Sequence, residues 1–314
     1  MSGKGDMTKD ARPLLEVSHL RIAFMRDGRE YVPVRDVSFA VPVHGRVAIV
    51  GESGCGKSLT SLSLTGLPPT DRARVSGKIK FTSAVPGGVG SPNVRVSYVF
   101  QLPTETLNPV MRIGDQIREA FPVDGAKANR REQDAKIASL LERVGLPSRA
   151  AKAYPCELSG GQQQRAVLAM ALAAEPELLI ADEPTTALDV TTQQQVLDLV
   201  EELAAETGMA VLLITHNLGL VAGRMDLVNV MYAGEIVESG NVVDVLANPR
   251  HPYTRGLLAA VPALDDPRDA PLHDIPGTVP TPDAWPSGCA FRPRCSEAKP
   301  ECATDAYPCR FAST

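Results

Sequence analysis

Hydrophobic and polar positions alternate near the start of the chain in a way that is typical of half-buried β-strands. Residues 14–24 and 34–41 show this period of two, and we expect them to pair as an antiparallel flap. Further along, short apolar runs alternate with stretches of helical spacing. Strands are predicted at 46–50, 75–81, 94–100, 178–182, 210–215, 227–232 and 235–238, and the last two are expected to form a hairpin through Ala233-Gly234. Helices are predicted at 57–64, 111–121, 130–144, 162–174 and 190–206, with a further helical pattern at 254–261.

This order of elements predicts the fold class and the division into domains. Strands that alternate with helices favour an α/β fold with a mainly parallel sheet covered on both faces. Helical spacing dominates residues 101–160, where we predict a helical subdomain. The main domain is expected at residues 13–247, after a flexible tail at 1–12. Pro and Cys become frequent in residues 248–314, which we interpret as a C-terminal extension.

Composition and charge narrow the class of protein. Hydrophobic residues make up 44% of the 314 positions, which is enough for one large core and an appendage. The net charge of -5 argues against a nucleic-acid-binding surface. The apolar run at 166–181 is broken by Glu175, Pro176 and Glu177, so no membrane-spanning helix is expected. Residues 1–12 lack an apolar secretory core, which predicts a cytoplasmic chain that reaches a membrane only through partners.

Residues 51–58 read Gly-Glu-Ser-Gly-Cys-Gly-Lys-Ser and fit the phosphate-binding loop G-x-x-x-x-G-K-[ST], between a predicted strand and a predicted helix. The glycines allow backbone N–H groups to face a phosphate at the helix N-terminus. Lys57 can then reach the β- and γ-phosphates, and the Ser58 hydroxyl can ligate Mg²⁺. A Gly/Ser-rich turn that matches by chance is the alternative. The residues assigned to the nucleotide here are Gly51, Ser53, Gly54, Cys55, Gly56, Lys57, Ser58 and Leu59. Cys55 is interpreted as a small spacer in the loop, with an oxidation-sensitive thiol as the alternative.

Two acids follow the apolar run at 178–182. A buried strand would place Asp182 at the mouth of the sheet, where it can hold Mg²⁺ through the water shell of the ion. Glu183 points elsewhere and can polarise the attacking water as a general base. Two surface acids at a strand end are the alternative, but their combination with a phosphate loop favours catalysis.

A second segment that could bind an anion lies between the phosphate loop and the acids. Ser159 can cap the helix predicted at 162–174, and the glycines after it leave N–H groups at the positive end of the helix dipole. An ordinary helix cap is the alternative. The residues assigned to this segment are Ser159, Gly160, Gly161 and Gln162.

The order of these motifs, followed by His216 after the strand at 210–215, resembles the ATP-binding cassette (ABC) family over about residues 13–245. The resemblance implies an ABC-type P-loop ATPase core that binds ATP and Mg²⁺. It implies that Phe24 stacks on adenine, with a core Phe as the alternative because Tyr31 is also near. It further implies that Gln101 senses Mg²⁺ and water, that His216 contacts the γ-phosphate, and that Asp189 lies in the loop that crosses to the opposite protomer.

The same resemblance implies partner proteins. In this family the serine–glycine segment of one protomer closes over the ATP held by another, so a second ABC ATPase subunit is required. A related but different subunit, giving a heterodimer, is the first expectation, and a homodimer is the second. Two transmembrane permease subunits and an extracytoplasmic solute-binding protein would complete an importer. The chain would then lie on the cytoplasmic face of the membrane as a peripheral subunit.

A narrower resemblance lies in the extension. Residues 248–254 read Asn-Pro-Arg-His-Pro-Tyr-Thr, residues 275–277 read Ile-Pro-Gly, and a cysteine-rich tail follows. These features resemble the ATPase subunits of bacterial di- and oligopeptide importers, a subgroup that also carries nickel chelates and other small solutes. A solvated Pro-rich linker is the alternative.

Four cysteines in the tail, Cys289, Cys295, Cys302 and Cys309, have the spacing C-x5-C-x6-C-x6-C. In a reducing compartment such clustering favours a metal over disulfides. Zinc ribbons prefer paired C-x2-C sequences, which are absent, whereas a [4Fe–4S] cluster accepts cysteines from irregular segments. Some members of the resembled subgroup carry such a cluster. Zinc, free thiols and disulfides remain as alternatives.

We therefore expect the ATP-hydrolysing motor of a membrane importer, most directly for di- or oligopeptides. A motor for nickel chelates or haem-like solutes is an alternative, because the motor does not touch its cargo. A soluble ABC ATPase acting on nucleic acid or ribosomes is another, although the acidic charge and the single cassette argue against it.

Overall fold

A computed structural model describes residues 13–66, 72–82, 94–122, 129–186, 188–261, 274–304 and 310–312. The predicted tail at residues 1–12 and Cys309 lie outside these ranges. The chain divides into two compact units, one formed by Met1–Thr82 with Leu213–Thr314 and the other by Ser83–Leu212.

Most of the predicted elements are present, within a few residues of their predicted bounds. The strands are β1 Pro13–Arg26, β2 Arg29–Pro42, β3 Arg46–Val50, β4 Ala73–Phe81, β5 Val96–Val99, β6 Leu178–Asp182, β7 Ala210–Thr215, β8 Leu227–Tyr232, β9 Glu235–Asn241 and β10 Phe311–Ala312. The helices are α1 Lys57–Leu64, α2 Pro103–Thr106, α3 Ile113–Glu119, α4 Arg130–Arg143, α5 Gly160–Ala173, α6 Val190–Thr207, α7 Val242–Ala247 and α8 Pro252–Ala259. Elements α2, α7 and β10 were not predicted, because segments this short show too few positions for a period to emerge.

The sheet of the first unit is mixed, which corrects the prediction of a mainly parallel sheet. Its strands follow the order β4-β1-β2-β9-β8-β3, with β10 beside β9. The flap is antiparallel as predicted, since β1 forms antiparallel pairs with both β2 and β4. Strand β8 pairs parallel with β3 but antiparallel with β9. Both β1–β2 and β8–β9 are joined by two-residue turns with positive φ, at Asp27-Gly28 and Ala233-Gly234, and such turns connect only antiparallel strands.

The second unit has a helical core beside the parallel pair β5–β6. Apolar side chains from α3, α4, α5 and α6 form one buried cluster that includes Ile117, Leu141, Val167 and Val200. Helix α4 begins with a capping box, in which Asn129 and Glu132 satisfy each other's backbone N–H groups. This packing fixes the starts of α5 and α6, which carry predicted site residues.

In the ranges that the structure describes, no helix combines the length and the apolar character needed to cross a membrane.

The core of the second unit predicts a stability difference between two substitutions. Ile117 is fully buried in the cluster, whereas Val110 is 79% exposed. Replacing Ile117 by Ala should lower the free energy of unfolding by about 2–5 kcal/mol, because it removes buried methyl groups and leaves a cavity. Val110→Ala should change it by less than about 0.5 kcal/mol. Urea unfolding followed by circular dichroism measures both values, and equal effects would contradict this packing.

Candidate functional site

The phosphate loop of the first unit has the shape that its sequence predicts. It leaves the buried strand β3 and ends where α1 begins at Lys57. Gly54 and Gly56 have φ angles of 82° and 104°, in the left-handed region that favours glycine. A Cβ atom on Gly51 would lie 2.2 Å from the carbonyl oxygen of Met231. The loop therefore requires glycine both for its dihedral angles and for its contact with β8.

Lys57 and Ser58 occupy the first turn of α1. The Lys57 side chain is folded over the loop, and its Nζ donates to the carbonyl oxygens of Gly51 at 2.8 Å and Glu52 at 3.0 Å. Lys57 is only 4% exposed, whereas Ser58 is exposed. The ammonium group is thus held against the loop backbone, and the hydroxyl that could ligate a metal faces solvent.

Cys55 is fully buried within the loop. Burial raises the pKa of its thiol above the ordinary value. Because the thiolate is the form that reacts with oxidants, this environment favours the interpretation of Cys55 as a small spacer over that of an oxidation-sensitive residue.

Two further predicted residues of the first unit lie on strand ends. Phe24 in β1 is paired directly with Tyr31 in β2, and both side chains are half-buried. Either ring is therefore available to an aromatic ligand at this end of the flap. His216 is exposed immediately after β7.

The paired acids of the second unit differ in their surroundings. Asp182 is buried at the end of β6, and its Oδ2 accepts a hydrogen bond of 2.8 Å from the hydroxyl of Tyr98. Glu183 has φ 46° and is half-buried. Its Oε2 accepts from Thr186 Oγ1 at 3.1 Å and from Gln101 Nε2 at 3.3 Å. The structure thus brings Gln101 and Glu183 together. The carboxylates of Asp182 and Glu183 lie in different environments, since they accept hydrogen bonds from different residues.

The serine–glycine segment begins α5. Ser159 and Gln162 form a capping box, with Gln162 N donating to Ser159 Oγ at 3.4 Å. A Cβ atom on Gly161 would lie 2.7 Å from Cγ2 of Thr192 in α6. Asp189 caps that helix by accepting from Thr192 Oγ1 at 2.6 Å and from Thr192 N at 2.9 Å, and these two hydrogen bonds lower the pKa of Asp189. The starts of α5 and α6 therefore lie side by side, with Gly160 exposed.

Three of the four tail cysteines are described, and all three thiols are free. The backbone N–H of Cys289 donates to the carbonyl oxygen of Cys302 at 2.9 Å. Burial, with smaller contributions from the other two thiols, raises the pKa of Cys295. Within the described ranges no group of three or more His, Cys, Asp or Glu side chains is arranged to hold a metal. The fourth cysteine, Cys309, lies outside those ranges.

Two residues beside the acids were not identified from the sequence. Tyr98 lies 84 positions before Asp182, and no local pattern connects them. Thr186 lies three positions after Glu183, a spacing at which a hydroxyl can bond back to a carboxylate, so this contact could have been found.

Family comparisons agree with the motif order. Residues 34–186 match the family described as ABC transporter. Residues 237–302 match the family described as oligopeptide/dipeptide transporter, C-terminal region. A peptide import ATP-binding protein of Brucella ovis is 48% identical over 93% of this chain and 91% of its own length. This chain belongs to the ABC transporter family of ATP-binding proteins. A second such peptide import protein, from Brucella abortus, is 43% identical over 92% of this ABC ATPase and 89% of its own length.

Solved structures agree on the fold. The cbiO1 protein of Clostridium perfringens, part of an ABC transporter complex, has a TM-score of 0.62 and 24% identity. The match covers 75% of this ABC ATPase and 91% of the cbiO1 chain. An ATP-binding cassette in a dimeric post-hydrolysis state, bound to ADP and Pi, has a TM-score of 0.59 and 22% identity. The match covers 73% of this chain and 98% of that cassette. The ABC ATPase fold is thereby shown.

The burial of Cys55 predicts a difference in thiol reactivity. In the native chain, iodoacetamide should alkylate the exposed Cys156 at least about tenfold faster than Cys55, because reaction requires an accessible thiolate. Peptide mass spectrometry after timed labelling measures both rates. Equal rates would instead support an oxidation-sensitive thiol in the phosphate loop, and labelling in denaturant is the control for intrinsic reactivity.

Proposed function

We propose that this ABC ATPase is the ATP-hydrolysing motor subunit of a membrane importer for di- or oligopeptides. The observation that carries the proposal is the match to peptide import ATP-binding proteins at 43–48% identity over about nine-tenths of both chains. The separate match of residues 237–302 to the C-terminal region of oligopeptide/dipeptide transporters supports the same solute class.

In the first unit, the loop at residues 51–59 would bind the phosphates of ATP. Its curled backbone supplies N–H groups, and Lys57 supplies a positive charge for the β- and γ-phosphates. Ser58, whose hydroxyl is exposed, would ligate Mg²⁺. Phe24 would stack on the adenine, and His216 would contact the γ-phosphate. Support for these roles comes from the loop geometry and the half-buried Phe24–Tyr31 pair.

In the second unit, Asp182 would hold Mg²⁺ through water, with the Tyr98 hydroxyl fixing the carboxylate. Glu183 would act as the general base for the attacking water. Its hydrogen bonds from Thr186 and Gln101 hold the carboxylate in one orientation, which supports this role. Hydrolysis needs charge neutralisation and an aligned water rather than a covalent intermediate.

The segment Ser159–Gln162 and the cap residue Asp189 would act on the ATP of a second cassette. The exposed N-terminus of α5 supports this role, because it presents backbone N–H groups to an anion. We propose a related, different ATPase subunit as that second cassette, with two permease subunits and a solute-binding protein as further partners. The motor would then work at the cytoplasmic face of the membrane.

The assignment of Glu183 predicts a separation of ATP binding from hydrolysis. In vesicles that contain the permease subunits and the second ATPase subunit, with the solute-binding protein present, peptide should stimulate phosphate release by the parental transporter. Glu183→Gln should lower release by about 10²–10⁴-fold while retaining ATP binding, because only the base is lost. Glu142→Gln, at an exposed position on α4, is the matched control. Parental turnover by Glu183→Gln would refute the base assignment, and stimulation by nickel chelates but not by peptide would refute the solute class.

We further propose that the tail cysteines hold a [4Fe–4S] cluster, with Cys289, Cys295, Cys302 and Cys309 as ligands. Two observations support it: the described thiols are free, and the backbone N–H of Cys289 donates to the carbonyl oxygen of Cys302, which brings two of the four cysteines close together. A cluster would supply a coordinate cross-link to a segment with little regular secondary structure.

The cluster assignment predicts a metal content for the purified chain. Anaerobically purified protein should contain iron and acid-labile sulfide in equal amounts, about four of each per chain. Cys302→Ser should remove most of both, since one ligand is lost, and Cys156→Ser should leave them unchanged because that thiol lies outside the segment. Zinc in place of iron, or four titratable thiols without metal, would contradict the assignment.

A further inference from the structure

One ion pair connects the C-terminal extension to the phosphate loop within the first unit. The Arg294 guanidinium donates from Nη1 to Glu52 Oε2 at 2.7 Å and from Nη2 to Glu52 Oε1 at 3.0 Å. Glu52 is the second residue of the loop. The Arg294 side chain is only 4% exposed, whereas that of Glu52 is 30% exposed, so this bidentate pair is shielded from water mainly on its arginine side.

The position of Arg294 is fixed by further contacts. Its Nε donates to the carbonyl oxygen of Pro276 at 2.8 Å, and Nη2 also donates to that of Ile275 at 3.0 Å. The guanidinium lies 5.8 Å from the ring centre of Tyr232 and 5.9 Å from that of Phe291. Burial by itself would lower the pKa of Arg294, but the hydrogen bonds to Glu52 and Tyr232 raise it above its ordinary value. The guanidinium therefore stays charged, and it is held by two backbone carbonyl oxygens, two aromatic rings and the Glu52 carboxylate.

A second residue of the extension holds the backbone of the same loop position. The N–H of Glu52 donates to the Tyr253 hydroxyl at 2.8 Å. Tyr253 is fully buried, and its ring packs against Tyr232 and Phe291, with centroids 4.6 and 5.4 Å apart. Glu52 is thus held by the extension at both its backbone and its carboxylate.

The extension is itself anchored to the sheet of the first unit. The Glu238 carboxylate on β9 accepts from the backbone N–H groups of Arg250 at 2.8 Å and His251 at 3.0 Å, at the start of α8. The Trp285 indole donates to the carbonyl oxygen of Val32 on β2 at 3.1 Å. Ion pairs from Arg310 to Asp36 on β2 and Glu235 on β9 add an anchor after Arg294. Because the anchors precede, separate and follow Tyr253 and Arg294 in the sequence, the two residues hold the loop from a fixed base.

We propose that the extension positions the phosphate loop for nucleotide binding, with Arg294 and Tyr253 as positioning residues that act through Glu52. The proposal rests on the nucleotide-binding function of the loop proposed above. A loop held in its bound shape loses less conformational entropy when ATP binds, so fixing Glu52 increases affinity without any contact to the ligand. Removing Arg294 would also leave the half-buried Glu52 carboxylate without the cation that holds it in one orientation.

Nucleotide affinity of the full chain tests this role. In a Glu183→Gln background, which blocks turnover, the Kd for MgATP is measured by equilibrium titration. Arg294→Ala should raise the Kd about tenfold, and Arg294→Lys should give an intermediate value because a lysine keeps the charge but not the bidentate geometry. Arg255→Ala is the matched control, since Arg255 forms an exposed ion pair with Glu297 in the same extension and should leave the Kd unchanged.

Two further variants separate positioning from a general loss of folding. Tyr253→Phe removes only the hydroxyl acceptor and keeps the buried ring, and it should raise the Kd by about two- to fivefold. Combining Glu52→Ala with Arg294→Ala should weaken binding no more than Arg294→Ala alone, because both act through one contact. With Glu183 intact, the apparent KM for ATP should rise while kcat at saturating ATP stays within about twofold of the parental value. Metal content and thermal unfolding are recorded for each variant, so that a lost cluster or an unfolded chain is recognised.

The outcomes distinguish this proposal from the proposed function. Parental Kd values for both Arg294→Ala and Tyr253→Phe would overturn the positioning role, as would fully additive effects of Glu52→Ala and Arg294→Ala. Lys57→Ala is measured beside them. If Lys57→Ala alone weakens binding, the nucleotide site stands and only the positioning role fails; if Lys57→Ala also binds ATP as the parental chain does, the assignment of the loop itself fails.

Discussion

The close approach of the phosphate loop to its neighbouring strands is the constraint on which the rest of the first unit depends. The loop lies against the carbonyl oxygen of Met231 below Gly51 and that of Pro33 beside Gly56, with no room for a side chain at either place. Its shape is therefore set by β8 and β2, not by the loop sequence alone. Lys57 and Ser58 can act on phosphate and metal only because this backing keeps the start of α1 in place.

The extension contributes to the same constraint, and its anchoring differs from what its composition suggests. A Pro-rich segment with little helical pattern indicates a tail that needs a metal to fix it. The structure instead shows an aromatic cluster, formed by Tyr232, Tyr253, His251 and Phe291, between the extension and β8. Ion pairs from Arg310 to Asp36 and Glu235 add a further attachment near the end of the chain. A bound cluster would strengthen a segment that is already packed.

The elements and motifs that could be predicted are those whose determinants are local. The alternation in β1, the glycines of the loop and the capping box at Ser159 each depend on residues a few positions apart. The contacts that position these groups could not be predicted in this way. Arg294 and Glu52 are 242 positions apart, and no period or motif connects them. The same holds for the parallel pairing of β8 with β3, since these two strands are far apart in the sequence. The antiparallel pairing of β8 with β9 depends on the local turn at Ala233-Gly234 and could be predicted.

Hydrogen–deuterium exchange of the full chain, with and without MgATP, shows whether residues 51–58 bind the phosphates through their backbone. We expect amides of this loop and of the first turn of α1 to exchange more slowly when MgATP is present, because their N–H groups then donate to phosphate oxygens. Unchanged exchange in residues 51–58, with protection confined to another part of the chain, would contradict this binding mode.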